Sequence, residues 1–195
     1  YNKELFVERA ALSALLARFL KSDNRVLALP GEAGQGKTTQ LCHWTEIMLQ
    51  DETGVITFSA SDFAEDTLEK MLRQIFDISY KKNIDVFLRT MNAKAEAAGK
   101  QVVFLFDALN EVLAYPSAST ELTGPQLIYQ DIYNLLSQPY LTAFRVVFTC
   151  RNYTWLNELR PMMKNWNDAV FYKADDEELQ VRSFTDEETD RKSVV

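Results

Sequence analysis

The stretch Gly31-Glu32-Ala33-Gly34-Gln35-Gly36-Lys37-Thr38 holds three of the chain's six glycines and fits G-x-x-x-x-G-K-[ST], the phosphate-binding P-loop. Glycine lets backbone N–H groups turn inward and approach a phosphate closely. Lys37 is then placed to reach the β- and γ-phosphates of a nucleotide, and the Thr38 hydroxyl to ligate Mg2+. A helix starting directly behind the loop adds its partial positive charge. Asp107 ends the apolar run Val102-Val103-Phe104-Leu105-Phe106 and fits the Walker B position that holds Mg2+. A carboxylate at a buried strand end is costly unless paired or metal-bound; the alternative is an Asp that caps the next helix. Glu111 follows in Asp107-Ala108-Leu109-Asn110-Glu111. If that segment turns into helix, positions 107 and 111 share a face. Glu111 would then orient an attacking water or take its proton; otherwise it is a solvent carboxylate in a turn. Arg151 ends Thr149-Cys150-Arg151 and would lie beside the γ-phosphate if its strand neighbours the P-loop strand. A guanidinium there senses or stabilises phosphate charge; the alternative is a surface arginine. Cys150 has no evident partner base and reads as a packed residue. His43, one turn into the P-loop helix, has no catalytic role in this reading.

The elements that must position these groups follow from apolar spacing. Residues 25–29 read as a buried strand, and Leu41, Trp44, Ile47 and Met48 mark the helix after the loop, to about residue 50. Val55-Ile56-Thr57-Phe58-Ser59 reads as a second strand, and 102–106 as a third, apolar at every position as a central parallel strand requires. Phe144–Thr149 reads as a fourth, and Ala169-Val170-Phe171-Tyr172 as a short fifth. Helices are expected around Leu12–Leu20, Leu68–Phe76, Ile84–Ala95 and Ile128–Leu136, with a Ser-, Thr- and Pro-rich loop over 114–125. Strands alternating with helices mean an α/β fold with a parallel sheet, in which ligands bind beyond the carboxyl ends of the strands.

Composition narrows the class. The hydrophobic fraction of 47% supplies a core for one domain, and the charged fraction is 25%. A net charge of −7 argues against a nucleic-acid-binding body. Two cysteines without a CxxC and a single His argue against zinc and fit a reduced, cytoplasmic setting. No apolar run long enough for a membrane span exists. A start at Tyr1 without a signal-peptide pattern leads to the expectation of a piece cut from something longer.

Taken together, GEAGQGKT, VVFLFDALNE and RVVFTCR resemble a STAND-class P-loop NTPase of the NACHT type. Phe6-Val7-Glu8-Arg9 is similar to the short motif preceding the P-loop in that family, and Ser183-Phe184-Thr185-Asp186-Glu187-Glu188 looks like the opening of its following helical region. The resemblance implies a three-layer αβα sandwich with a five-stranded parallel sheet in the order 5-1-4-3-2. It implies residues 1–24 as a helical segment packed on the core, 25–174 as the NTPase core, and 175–195 as the start of the next, helical or winged-helix region. It implies ATP or ADP with Mg2+, slow hydrolysis as a switch, self-oligomerisation in the ATP state, and effector and sensor domains as partners. Members act in signal transduction, including innate immunity and antiphage defence. By position, Val7 and Arg9 would lie near adenine and ribose. Gly31, Glu32 and Ala33 would open the phosphate loop, and Gly34, Gln35, Gly36, Lys37, Thr38 and Thr39 would hold the phosphates. Thr38 and Asp107 would serve the metal, Glu111 the water, and Arg151 would be the first sensor. The family commonly has an acid where this chain has Asn110, and its winged-helix His lies outside this stretch. Both departures favour a second reading, a nucleotide-binding scaffold with little turnover. A small-substrate kinase lacks the arginine-rich lid it would need. A GTPase is opposed by Tyr172-Lys173-Ala174-Asp175, whose Tyr cannot supply the amide of N-K-x-D.

Overall fold

The computed structural model describes residues 6–63, 67–112 and 122–165. Along the chain run α1 (Ala10–Lys21), β1 (Val26–Pro30), α2 (Lys37–Gln50), β2 (Gly54–Ser59), α3 (Leu68–Ile75), α4 (Ile84–Ala97), β3 (Val102–Asp107), α5 (Gly124–Leu136) and β4 (Phe144–Cys150). One turn of helix, α6 (Asn152–Thr154), then runs on into a π-turn and a 3-10 turn. The strands form one sheet in the order β1-β4-β3-β2, every neighbouring pair parallel. Each parallel pair needs a crossover through a helix, and chain order departs from sheet order at one connection, from β1 past β4 and β3 to β2.

Alternation of side chains across the strands divides the core into two layers. Val26 and Ala28 of β1, Phe104 and Phe106 of β3, and Val146 and Phe148 of β4 face a cluster completed by α3, α5 and Leu88 of α4. Leu27 and Leu29, Val103 and Leu105, and Val147 face the other, completed by α1 and α2 through Leu15, Phe19, Leu41 and Trp44. The first layer is aromatic: Phe58 stacks on Phe106 with ring centroids 4.7 Å apart, and Phe104 meets Phe144 edge-on at 5.3 Å. Burying each such side chain contributes on the order of 1.5–3 kcal/mol. Helices on both faces of a parallel sheet make the three-layer α/β arrangement.

Two expectations need correction. Among the described residues the sheet has four strands rather than five, because the segment expected as the fifth, 169–172, lies outside them. The 175–195 region lies outside them too. Secondly, Asp107 and Glu111 do not share a helical face. Ala108 takes a left-handed conformation (φ 56°), which stops the chain continuing as helix, and Leu109–Glu111 is a single 3-10 turn. Among the described residues no helix is long and apolar enough to cross a membrane.

Candidate nucleotide-binding site

The P-loop joins β1 to α2, and its shape is set by two left-handed glycines, Gly34 (φ 79°) and Gly36 (φ 78°). A Cβ at either position would meet nothing within 4 Å, so backbone conformation rather than crowding calls for glycine. Gly36 caps the N-terminus of α2, so the loop ends where the helix presents its unpaired amides.

Strand pairing brings the remaining groups to this loop. β1 lies beside β4 in a register that sets Pro30 against Cys150, and the Gly31 N–H donates to the Cys150 carbonyl at 3.1 Å. Arg151 therefore leaves the sheet beside the start of the P-loop. β3 lies on the other side of β4, with Phe106 against Phe148, which sets Asp107 next to Thr149. Asp107 spends both oxygens on hydroxyls: Thr38 Oγ1 donates to Oδ2 and Thr149 Oγ1 to Oδ1, each at 2.7 Å. Thr149 is fully buried and also accepts the Ala108 N–H at 2.8 Å, fixing the left-handed turn behind the carboxylate. Asp107 thus caps no helix.

The Lys37 ammonium curls back over its own loop, donating to the carbonyls of Gly31 and Glu32 at 2.8 Å each. Its pKa is lowered by burial, which outweighs the opposing pull of Cys150, Asp107 and Glu32; Arg151 lowers it further. Gln35 braces the loop by accepting the Glu32 N–H at 2.7 Å. Glu32 Oε1 accepts from Asn152 Nδ2 at 2.8 Å. The Arg151 N–H donates to Asn110 Oδ1 at 3.0 Å. Its guanidinium stands 3.9 Å from Glu111 Oε1, both side chains more than half exposed. Burial pushes the Cys150 thiol up to about 12, which removes it as a nucleophile.

The sequence-predicted residues therefore divide. Lys37, Thr38, Asp107, Glu111 and Arg151 gather at the carboxyl ends of β1, β4 and β3, with Gly31 to Gly36 as the loop between them. Thr39 lies in the first turn of α2, Ala33 in the loop itself, and Val7 in the segment ahead of α1. Arg9 is buried, and its carbonyl accepts from Leu12 and Ser13 at the start of α1. The Phe6 ring lies 4.3 Å from the His43 ring, which lays this N-terminal segment along α2. Sequence reasoning does not reach Thr149 or Asn152, and it reaches Asn110 only as a departure from the family pattern. A threonine in an otherwise apolar buried strand is a sequence signal for Thr149, but it gains meaning only once β3 and β4 are paired. A separate cavity of about 330 Å³ lies away from this end, among α3, α4 and α5, lined in part by Leu72, Leu88 and Asp131.

The donor set has a definite chemistry. The Thr38 hydroxyl and the Asp107 carboxylate are hard oxygens in mutual contact, and Mg2+ is commonly held by one or two such groups plus substrate phosphates. Inward amides, a helix N-terminus and a partly buried ammonium suit a polyphosphate.

The model of the NACHT domain family matches residues 25–193. No curated protein matches the sequence. Among solved structures, the replication initiator DnaA bound to AMPPCP and single-stranded DNA aligns at TM-score 0.54 and 15% identity, over 98% of this chain and 52% of that one. The Aeropyrum pernix ORC2 protein, in ADPNP–ADP complexes, aligns at TM-score 0.56 and 15% identity, over 95% of this chain and 50% of that one. The chain spans about half the length of each. At this identity the likeness establishes the shared α/β fold with a parallel sheet.

Proposed function

From the premise that this chain belongs to the NACHT domain family of P-loop NTPases, we propose that it binds ATP with Mg2+ and hydrolyses it slowly, as a nucleotide-controlled signalling switch. The observation that carries this reading is the direct bond between Thr38 of the P-loop and Asp107 at the end of β3. It joins the two protein oxygens that would hold the metal. The metal, when bound, would neutralise charge developing on the β- and γ-phosphates. Lys37 would exchange the carbonyls of Gly31 and Glu32 for phosphate oxygens, which as charged acceptors make the stronger bonds. Glu111 would orient the attacking water, and Arg151 would register the γ-phosphate. Val7 and Arg9 would flank the adenine and ribose, with Thr39 completing the phosphate cradle.

Residues 25–174 would form the NTPase core, with 1–24 packed on it and 175–195 leading into a following helical region. Effector and sensor domains would act through this module, and the ATP state would self-associate. A second reading, a nucleotide-binding scaffold with little turnover, draws support from Asn110 and Glu111. The first is engaged with the Arg151 backbone and the second faces the Arg151 guanidinium.

Calorimetric titration with ATP, ADP and GTP in Mg2+, followed by phosphate release, tests the proposal. Adenine-selective binding with slow release is expected. Glu111→Gln should keep binding and lower release by on the order of a hundredfold, the scale of a lost general base. Equal release from the variant and the wild-type protein would favour the scaffold. Absence of nucleotide binding by the wild-type protein would overturn both readings.

A further inference from the structure

An acidic residue inside a phosphate-binding loop is chemically awkward, because its charge opposes the ligand's. Glu32 is such a residue, directly after the first glycine of the loop. Its surroundings show how the loop accommodates it. The Glu32 N–H is held by Gln35, its carbonyl accepts the Lys37 ammonium, and its carboxylate accepts the Asn152 amide at 2.8 Å. A carboxylate only accepts, so the Asn152 amide nitrogen must face it. Asn152 Oδ1 is buried and finds no partner among the described residues.

Asn152 directly follows Arg151, whose backbone is fixed on both sides. Its N–H goes to Asn110 and its carbonyl accepts the Trp155 N–H at 3.0 Å. The bond from Asn152 to Glu32 thus joins the residue next to Arg151 to the residue whose carbonyl holds Lys37. It spans 120 positions of sequence and links the exit of β4 to the P-loop.

We infer that Asn152 is a positioning residue. Through Glu32 it draws the loop carboxylate toward the β4 exit and sets the spacing between Lys37 and Arg151, so that the site discriminates a triphosphate from a diphosphate. This inference rests on the ATP-binding reading of the same site. Asn152 touches no phosphate in this scheme. It acts by holding the Glu32 charge on a neutral donor and by fixing where the Arg151 backbone leaves the sheet. Losing the bond frees a carboxylate beside the phosphates, and the extra charge of ATP makes it suffer more than ADP.

The test is the ratio of ATP to ADP affinity, measured by titration in Mg2+ for the wild-type chain and for exchanged pairs. Asn152→Asp sets carboxylate against carboxylate and should weaken ATP about tenfold relative to ADP, the scale of one charge-assisted hydrogen bond. Glu32→Gln supplies the second single variant of the cycle, since its carbonyl still accepts the Asn152 amide. The double variant Glu32→Gln with Asn152→Asp reverses donor and acceptor, and should recover the ratio to within about threefold. Should Asn152→Asp fail to fold, Asn152→Ala carries the comparison. It should lower the ratio in the wild-type background and change nothing further in a Glu32→Ala background. A wild-type ratio in Asn152→Asp, or no recovery in the double variant, overturns the inference while ADP binding keeps the nucleotide site standing. A wild-type chain that binds neither nucleotide overturns the site itself, and the inference with it.

Discussion

The two ends of the sheet both hold basic side chains, and they use them in opposite ways. At the amino end, Arg25 donates to the carbonyls of Leu136 and Leu141 and, at 3.5 Å, of Phe144. Arg145 donates to the carbonyl of Thr142 at 2.7 Å, with further bonds to Phe144 and Ser22. Burial, aided by Arg145, pushes the Arg25 pKa down to about 10; burial also lowers that of Arg145. Every one of these partners is backbone, so the bonds close the end of α5 and the turn into β4. At the carboxyl end, Arg151 faces a side chain and Lys37 rests on carbonyls of a glycine loop. Those partners are replaceable. One sheet thus carries cations committed to the fold at one end and cations free to change partner at the other. The lesson is that a cationic side chain marks function when its partners can be exchanged.

Three substitutions would break or sharpen that contrast. Lys37→Ala should weaken ATP binding by more than about a hundredfold, the loss of charge-assisted bonds to phosphate. The melting curve should barely move, since the bonds it loses are to a loop. Unchanged ATP affinity in a folded Lys37→Ala protein would sink the site assignment. Arg25→Ala should do the converse. It strips donors from the last carbonyl of α5 and from Leu141, costing about 2–3 kcal/mol in a denaturant titration while leaving ATP affinity unchanged. A matching loss of ATP affinity would show that the two ends are coupled, and the contrast would fail.

The smallest effect concerns Asp131, a charge at neither end. Its carboxylate accepts the Leu68 N–H at 3.1 Å, and its pKa is raised by burial, partly offset by that bond, with Glu69 raising it further. A raised carboxylate pKa means the fold favours the protonated form. Its stabilisation is present below the unfolded pKa and is lost as pH rises through the folded one. Asp131→Asn keeps an acceptor for Leu68 and removes the charge. The melting temperature should therefore rise slightly at pH 7, and the gap to wild type should close toward acid pH. A lower melting temperature at pH 7 would mean that the charge itself holds the start of α3.

Local features were legible in the sequence. The glycine spacing announced the P-loop, and Val102 to Phe106, apolar throughout, announced a strand buried on both faces. The apolar rows of α1 and α3 to α5 also lay close to where the helices run. Contacts across the sheet were not legible. Thr149 meets Asp107 across 42 positions, and Arg25 meets Leu136 across 111. No local pattern encodes such pairings. The helical reading of Asp107 to Glu111 failed for a related reason: alanine favours helix, but Ala108 is left-handed and its N–H is taken by Thr149, which comes from a different strand.

The burial of Cys150 has a practical consequence. Cys42 on α2 is partly exposed, whereas Cys150 is buried, and its own carbonyl takes the Gly31 N–H across the seam between β4 and the P-loop. A thiol-reactive dye should mark Cys42 in the native protein and reach Cys150 only when that seam parts. The slow labelling step is then a built-in stopwatch for how often the strand pair carrying the P-loop opens. Any ligand that clamps the loop should slow it.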